Sequence, residues 1–220
     1  MIRFRDVRFS YDDSFAMCVD EFSVEAGGQV AIYGPSGSGK TTLLNLVAGI
    51  LVPDSGNVQV GPHAVSSLSD ARRRYFRANH VGHVFQRFEL IEYLSVLDNI
   101  LHTYRISELV LTDDVRARAE SLAERLDISK HLKKYPGALS QGELQRVAIC
   151  RALLAKPSVI LADEPTANLD AKNKTLILDL LLDESREQGA ALLMVTHDHS
   201  LLDRFETTVD FSLLTGAGNG

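Results

Sequence analysis

Gly34-Pro35-Ser36-Gly37-Ser38-Gly39-Lys40-Thr41 fits the pattern G-x-x-x-x-G-K-[ST]. It stands between an apolar run, Val30-Ala31-Ile32-Tyr33, and a segment from Thr41 to Ile50 with the spacing of a buried helix. Strand, glycine loop and helix in that order form the context in which the pattern binds phosphate. The glycines let the backbone wrap around phosphate oxygens, so that successive N–H groups and the helix N-terminus face the negative charge. Lys40 is expected to reach the β and γ phosphates of a nucleotide and the Thr41 hydroxyl to bind Mg²⁺, with Thr42 completing the loop's polar end.

The same strand grammar recurs further along the chain. Val159 to Ala162 and Ala191 to Val195 are short apolar runs that suit parallel strands covered on both faces. The segment between them, Ala171 to Gln188, places Leu176, Leu180 and their neighbours on one side of a helix and charges on the other. Residues Ile2 to Phe9 and Phe22 to Ala26 alternate in the manner of two antiparallel strands ahead of the Gly27-Gly28 turn. From Gln86 to Ser140 the pattern becomes helical, with Leu94, Leu97, Ile100 and Leu101 in one segment and Val115, Leu122 and Leu126 in another. The expected fold is α/β: a phosphate-loop core with a mainly parallel sheet, an antiparallel β subdomain and an inserted α-helical lobe. The expected division of a single domain, 1–220, gives 1–86 and 146–220 to the core and 87–145 to the lobe, with a loose tail from Thr215 to Gly220.

Val159-Ile160-Leu161-Ala162 delivers two carboxylates, Asp163 and Glu164, at the end of an apolar strand, on the side of the sheet where the phosphate loop lies. Asp163 can hold the Mg²⁺ shell, and Glu164 can polarise an attacking water. The histidines at 63, 80, 83, 102, 131 and 199 are expected to be solvated or internally satisfied.

The bulk composition narrows the functional classes. With 220 residues, 45% hydrophobic, the chain can bury a sizeable core, and its net charge of -6 argues against nucleic acid as a partner. Cys18 and Cys150 lack metal-ligand spacing and read as small core residues in a reducing compartment, the cytoplasm. No uncharged run of about 18 apolar residues is present, so the chain is not expected to span a membrane by itself.

Leu139-Ser140-Gln141-Gly142-Glu143-Leu144-Gln145-Arg146 resembles the signature sequence of ABC ATPases and lies upstream of the carboxylate strand, as in that family. The resemblance covers essentially the whole chain. It implies that Tyr11 stacks on adenine, that Gln86 is the glutamine between the lobes and a contact of the metal and the nucleotide, that Ala167-Asn168-Leu169-Asp170 is the D-loop, and that His197 is the switch histidine beside the γ-phosphate. Val84-Phe85-Gln86, Ala162 to Asp170 and Tyr135 to Ser140 look most like the lipoprotein-release and macrolide-export group, often called LolD/MacB-like. The resemblance further implies ATP and Mg²⁺ as cofactors and two copies packed head to tail, each ATP held by one chain's phosphate loop and the other's signature. It also implies an integral membrane permease as partner and a place on the inner face of the cell membrane. Export or extraction of a substrate leads; importer subunits and non-transport, cell-division-type ATPases are the alternatives. Phe85, Phe88, Leu90, Ile91, Tyr93 and Leu94 are the expected docking surface for the permease.

The signature departs from the usual one at Gln141, where glycine is common, and at Glu143, where glutamine is common. Ser140-x-x-Glu143 is also a capping box, which points to a better-capped helix start. The sharper consequence would be a carboxylate near the γ-phosphate that weakens closure by like-charge repulsion.

Overall fold

The N-terminal alternation becomes an antiparallel pair, β1 (Ile2–Tyr11) with β2 (Phe15–Val24), in a computed structural model that describes residues 1–11, 15–167 and 169–215. Strand β2 begins well before Phe22, because its outer half alternates as regularly as its inner half. After β3 (Gln29–Tyr33) and α1 (Lys40–Val47), the chain returns to this sheet with β4 (Ser55–Val60) and β5 (His63–Ala64). The resulting antiparallel sheet has the order β2-β1-β4-β5.

Helix α2 (Asp70–His80) leads into β6 (Val81–Val84) at the edge of the second sheet. A helical stretch follows, with α3 (Val96–Ile100), α4 (His102–Ile106) and α5 (Asp113–Arg125). Helix α6 (Gln141–Leu153) then leads to β7 (Val159–Asp163), α7 (Ala171–Gln188), β8 (Ala191–Thr196), β9 (Thr207–Asp210) and α8 (Phe211–Leu214). The second sheet is parallel throughout, in the order β6-β7-β8-β3-β9.

Every residue of β7 and β8 is buried, as runs covered on both faces require, and the period of two sorts their side chains between two cores. Ile160, Ala162, Leu192 and Met194 pack with the helical stretch through Leu122 and Leu126. Val159, Leu161, Leu193 and Val195 face the other way, onto Leu43, Leu44 and Val47 of α1 and onto Ile2 and Phe4 of the antiparallel sheet. Gly82 of β6 is required by closeness: a Cβ there would lie 2.4 Å from the Ala152 carbonyl oxygen of α6.

Some expectations change. Cys150 is a core residue, but Cys18 is exposed, because it falls on the outward register of β2. Helix α7 carries one of its charges inward: Glu184 is fully buried, its carboxylate held by Arg118 (2.6 Å) and Arg125 of α5 and by Gln188. His83 is half-buried, and its ring is not fully satisfied. Its ring stacks on Phe85 with centroids 3.9 Å apart, its Nδ1 has no hydrogen-bond partner among the described residues, and burial, with the Arg151 charge, pushes its pKa down to about 3. Residues 216–220 of the expected tail and Asn168 of the expected D-loop lie outside the described residues. No helix among the described residues is long and apolar enough to cross a membrane.

Candidate functional site

The register of the parallel sheet aligns the site. Asp163 of β7 pairs with Val195 of β8, and Val195 pairs with Ile32 of β3, so all three strands end at the same edge. Open α/β sheets bind ligands at that edge, outside the strands' carboxyl ends. Strand β8 lies between β7 and β3, so the carboxylates reach the phosphate loop across the strand that carries His197 at its exit.

A cavity of about 300 Å³ opens there, lined by Tyr11, Phe15, Ser36, Gly37, Gly39, Lys40, Thr41, Thr42, Gln86, Asp163 and Glu164. Gly39 adopts φ 108°, in the left-handed region, and a Cβ on it would sit 2.5 Å from the Phe15 ring. Glycine is thus demanded twice, by backbone and by neighbour. Gly34 and Pro35 contribute through their backbones: both carbonyls accept from Lys40 Nζ, at 3.0 and 2.7 Å. The Ser38 hydroxyl is buried with no hydrogen-bond partner among the described residues. Burial pulls the Lys40 pKa below its ordinary value, and the Glu164 and Asp163 charges push it back.

Thr41 Oγ1 donates to Asp163 Oδ2 at 2.7 Å. Burial raises the Asp163 pKa, against the Thr41 hydrogen bond. A hydroxyl and a buried carboxylate in contact, with the exposed Gln86 amide on the same wall, form an oxygen set that fits a small hard cation such as Mg²⁺.

Glu164 has φ 50°, a left-handed backbone that residues other than glycine rarely adopt. Its N–H is anchored to the Val195 carbonyl at 3.0 Å, and its Oε1 lies 2.8 Å from His197 Nδ1. His197 lines a neighbouring cavity that it shares with Glu164, Lys174 and Asp198. Sequence reasoning misses the ion pair beside it: Lys174 Nζ donates to Asp198 Oδ2 at 2.5 Å, and this bond, together with those from the Ser200 hydroxyl and N–H, lowers the Asp198 pKa to about 2. It also misses Phe15, whose ring centroid is 5.9 Å from that of Tyr11, on the same wall of the cavity. The alternating strand disguises Phe15 as ordinary β surface.

The signature residues lie elsewhere. Ser140 caps α6 in a reciprocal box: its hydroxyl accepts from the Glu143 N–H, while Glu143 Oε2 accepts from the Ser140 N–H (2.7 Å) and hydroxyl (2.8 Å). Those bonds hold the Glu143 carboxyl below its ordinary pKa, the Ser140 backbone donor contributing most. None of Ser140 to Glu143 lines the phosphate-loop cavity; Gln141 instead lines a separate cleft with Gln86, Gln145 and Glu164. Gly142 faces the D-loop segment, since a Cβ on it would lie 3.3 Å from the Leu169 side chain. Asp170 caps α7 through the Asn173 N–H (2.9 Å), and Asn173 Oδ1 accepts from Arg146 of α6 at 2.6 Å. The signature helix and the D-loop segment are therefore braced together within one chain.

The expected docking residues divide in two. Phe85 lines a groove of about 580 Å³ that also includes Tyr75, His83, Ile106 and Arg151, and Tyr93 is 81% exposed. Fully buried Asn99 fixes the segment between them, donating to the carbonyls of Ile91, Leu94 and Ser95 and accepting from the Ile91 N–H. Arg151 of α6 holds the carbonyls of Phe88 and Glu89.

With this geometry in view, the comparisons with known proteins agree. Residues 19–167 match the family described as ABC transporter. The chain is similar to the lipoprotein-releasing system ATP-binding protein LolD 1 of Rhodopirellula baltica, at 44% identity over 191 residues, covering 87% of this chain and 82% of that one. It is also similar to LolD of Hydrogenovibrio crunogenus, at 40% identity over 186 residues, covering 84% and 80%. Among solved structures, the dimeric post-hydrolysis state of the ATP-binding cassette MJ0796 with ADP and Pi superposes with a TM-score of 0.87 at 30% identity, covering 96% of this chain and 94% of that one. The chain belongs to the ABC transporter family, as an ATP-binding and ATP-hydrolysing subunit of LolD-like type.

Proposed function

We propose that two copies of this chain close head to tail on ATP and drive a separate integral membrane permease that extracts or exports a lipid-anchored cargo, as the names of its LolD relatives suggest. Each ATP is held by the phosphate loop of one copy, with Tyr11 on the base and Lys40 on the β and γ phosphates, and by Ser140 and Gly142 of the other. The observation that carries this reading is the placement of the signature. Ser140 and Gly142 begin a helix of 13 residues, whose N-terminal end attracts phosphate, yet they do not line their own chain's phosphate-loop cavity.

Within each site Glu164 takes a proton from the attacking water, and His197, 2.8 Å from its carboxylate, keeps that carboxylate oriented. Lys40 carries positive charge to the terminal phosphates. Thr41, Asp163 and Gln86 would hold Mg²⁺, which supplies neutralisation of phosphate charge. The helical stretch from 87 to 145 acts as the lobe that receives the permease, with the groove beside Phe85 as the docking site.

Light scattering on Glu164→Gln tests the pairing. ATP without Mg²⁺ should double the mass, while ADP and nucleotide-free buffer leave monomers. Equal mass in all three conditions, or ADP as effective as ATP, overturns the composite site.

A further inference from the structure

Behind the signature stands a residue that neither the sequence pattern nor the proposed mechanism uses. His131 is 7% exposed, at the end of a short 3₁₀ turn, Ser129–His131, and its Nε2 lies 2.8 Å from Oε1 of Glu143. The N–H direction does not line up as a hydrogen bond, so the contact is one of close packing and, when the imidazole is protonated, of charge. The other oxygen of the same carboxylate, Oε2, receives both the N–H and the hydroxyl of Ser140. One carboxylate thus joins a buried imidazole on one side to the signature serine on the other.

We infer that His131 is a positioning residue for the signature: by fixing Glu143 it sets where the Ser140 hydroxyl points, and so how readily that hydroxyl meets a phosphate presented by a second copy. The Ser140 proton is committed to Glu143 in this state. A hydroxyl oxygen has one proton and two lone pairs, so Ser140 can donate to a phosphate only by giving up its bond to Oε2. Whatever steadies or loosens Glu143 therefore moves the energy of closure. A glutamate free to swing would also bring its charge toward the incoming phosphate, where like charges repel. His131 limits that swing by blocking the far side of the carboxylate.

The inference rests on the composite-site reading, and the test separates the two. The ATP concentration that half-saturates dimer mass is measured by light scattering in the Glu164→Gln background, for His131→Leu, His131→Gln, Ser140→Ala and the His131→Leu/Ser140→Ala pair. Calorimetry follows ATP binding to the monomer. His131→Leu should raise the half-saturating concentration roughly 3- to 10-fold, a typical value for loss of one orienting polar contact, and leave monomer binding unchanged. His131→Gln, which keeps a polar group of similar reach beside Oε1, should recover most of the loss. In the Ser140→Ala background the effect of His131→Leu should vanish, which a general loss of stability would not produce. If Ser140→Ala itself leaves dimerisation intact, the composite site fails; if Ser140→Ala weakens it while His131→Leu does not, or if the two costs add, the positioning role fails alone. Should His131→Leu not fold, His131→Phe takes its place in the same cycle with Ser140→Ala: coupled costs support the positioning role, and additive costs or no cost overturn it.

Discussion

The phosphate-loop edge and the signature edge of this molecule are built in opposite ways. At the first, three buried strands end in register and aim Lys40, Thr41, Asp163 and Glu164 into one cavity, each with a partner at hand: Gly34 and Pro35 for Lys40, Thr41 for Asp163, His197 for Glu164. At the second, Ser140 and Glu143 satisfy each other at a helix start and line no phosphate site of their own. The first edge is a cavity lined with charged and polar side chains, and the second is a capped helix start that, on the head-to-tail pairing proposed above, meets the ligand of a second copy. Damage at the first should therefore appear in a single chain, and damage at the second only when chains meet.

The largest expected effect strikes the first edge. Glu164→Gln should lower ATP turnover by about 10²- to 10⁴-fold while preserving ATP binding; steady-state hydrolysis close to wild type would remove Glu164 from the chemistry. Lys40→Ala comes next and should weaken ATP binding by roughly 10- to 100-fold, the range of a charge-assisted phosphate contact. Calorimetry on the monomer reads it directly, and unchanged affinity would erase the contrast between the edges.

Ser140→Ala should do the reverse. Loss of the cap costs about 1 kcal/mol of stability, visible as a lower urea midpoint, with monomer ATP affinity intact and ATP-driven dimerisation weakened but still measurable. The smallest effect concerns the ion pair that shares the cavity of His197. Asp198 has its pKa depressed to about 2 from 3.8, so its ion pair with Lys174 stabilises the fold above pH 3.8, and that contribution fades as pH falls toward 2. Lys174→Ala should thus be less stable than wild type in urea at pH 5 and converge with it near pH 2. A constant gap across that range would show that Lys174 acts through packing.

Much of the phosphate-loop edge is legible in the sequence because its physics is local. Buried parallel strands need unbroken apolar runs, and the loop needs glycines at fixed offsets, so β3, β7, β8 and α7 stand out, α7 to the residue. Strand β6 does not, because Gly82 and His83 interrupt its apolar run and its place is earned by packing on α6. Strand β9 begins with two exposed threonines at the sheet edge. The capping box is readable from Ser140-x-x-Glu143 alone. His131 is not, since its importance depends on a distance that spans twelve residues of sequence. Glu184 is misread because helical periodicity reports which face turns inward without saying that two arginines wait there. Strand order is invisible to local patterns, so nothing in the sequence places β8 between the loop and the carboxylates.

Helix α6 carries the signature serine at one end and Arg151, which grips the carbonyls of Phe88 and Glu89, near the other. Ser140 and Arg151 stand eleven positions apart along the helix, about 16 Å of hydrogen-bonded rod. Such a rod tilts far more easily than it stretches, so a displacement of the segment after Gln86 that α6 follows would reach Ser140 as a tilt of the whole helix.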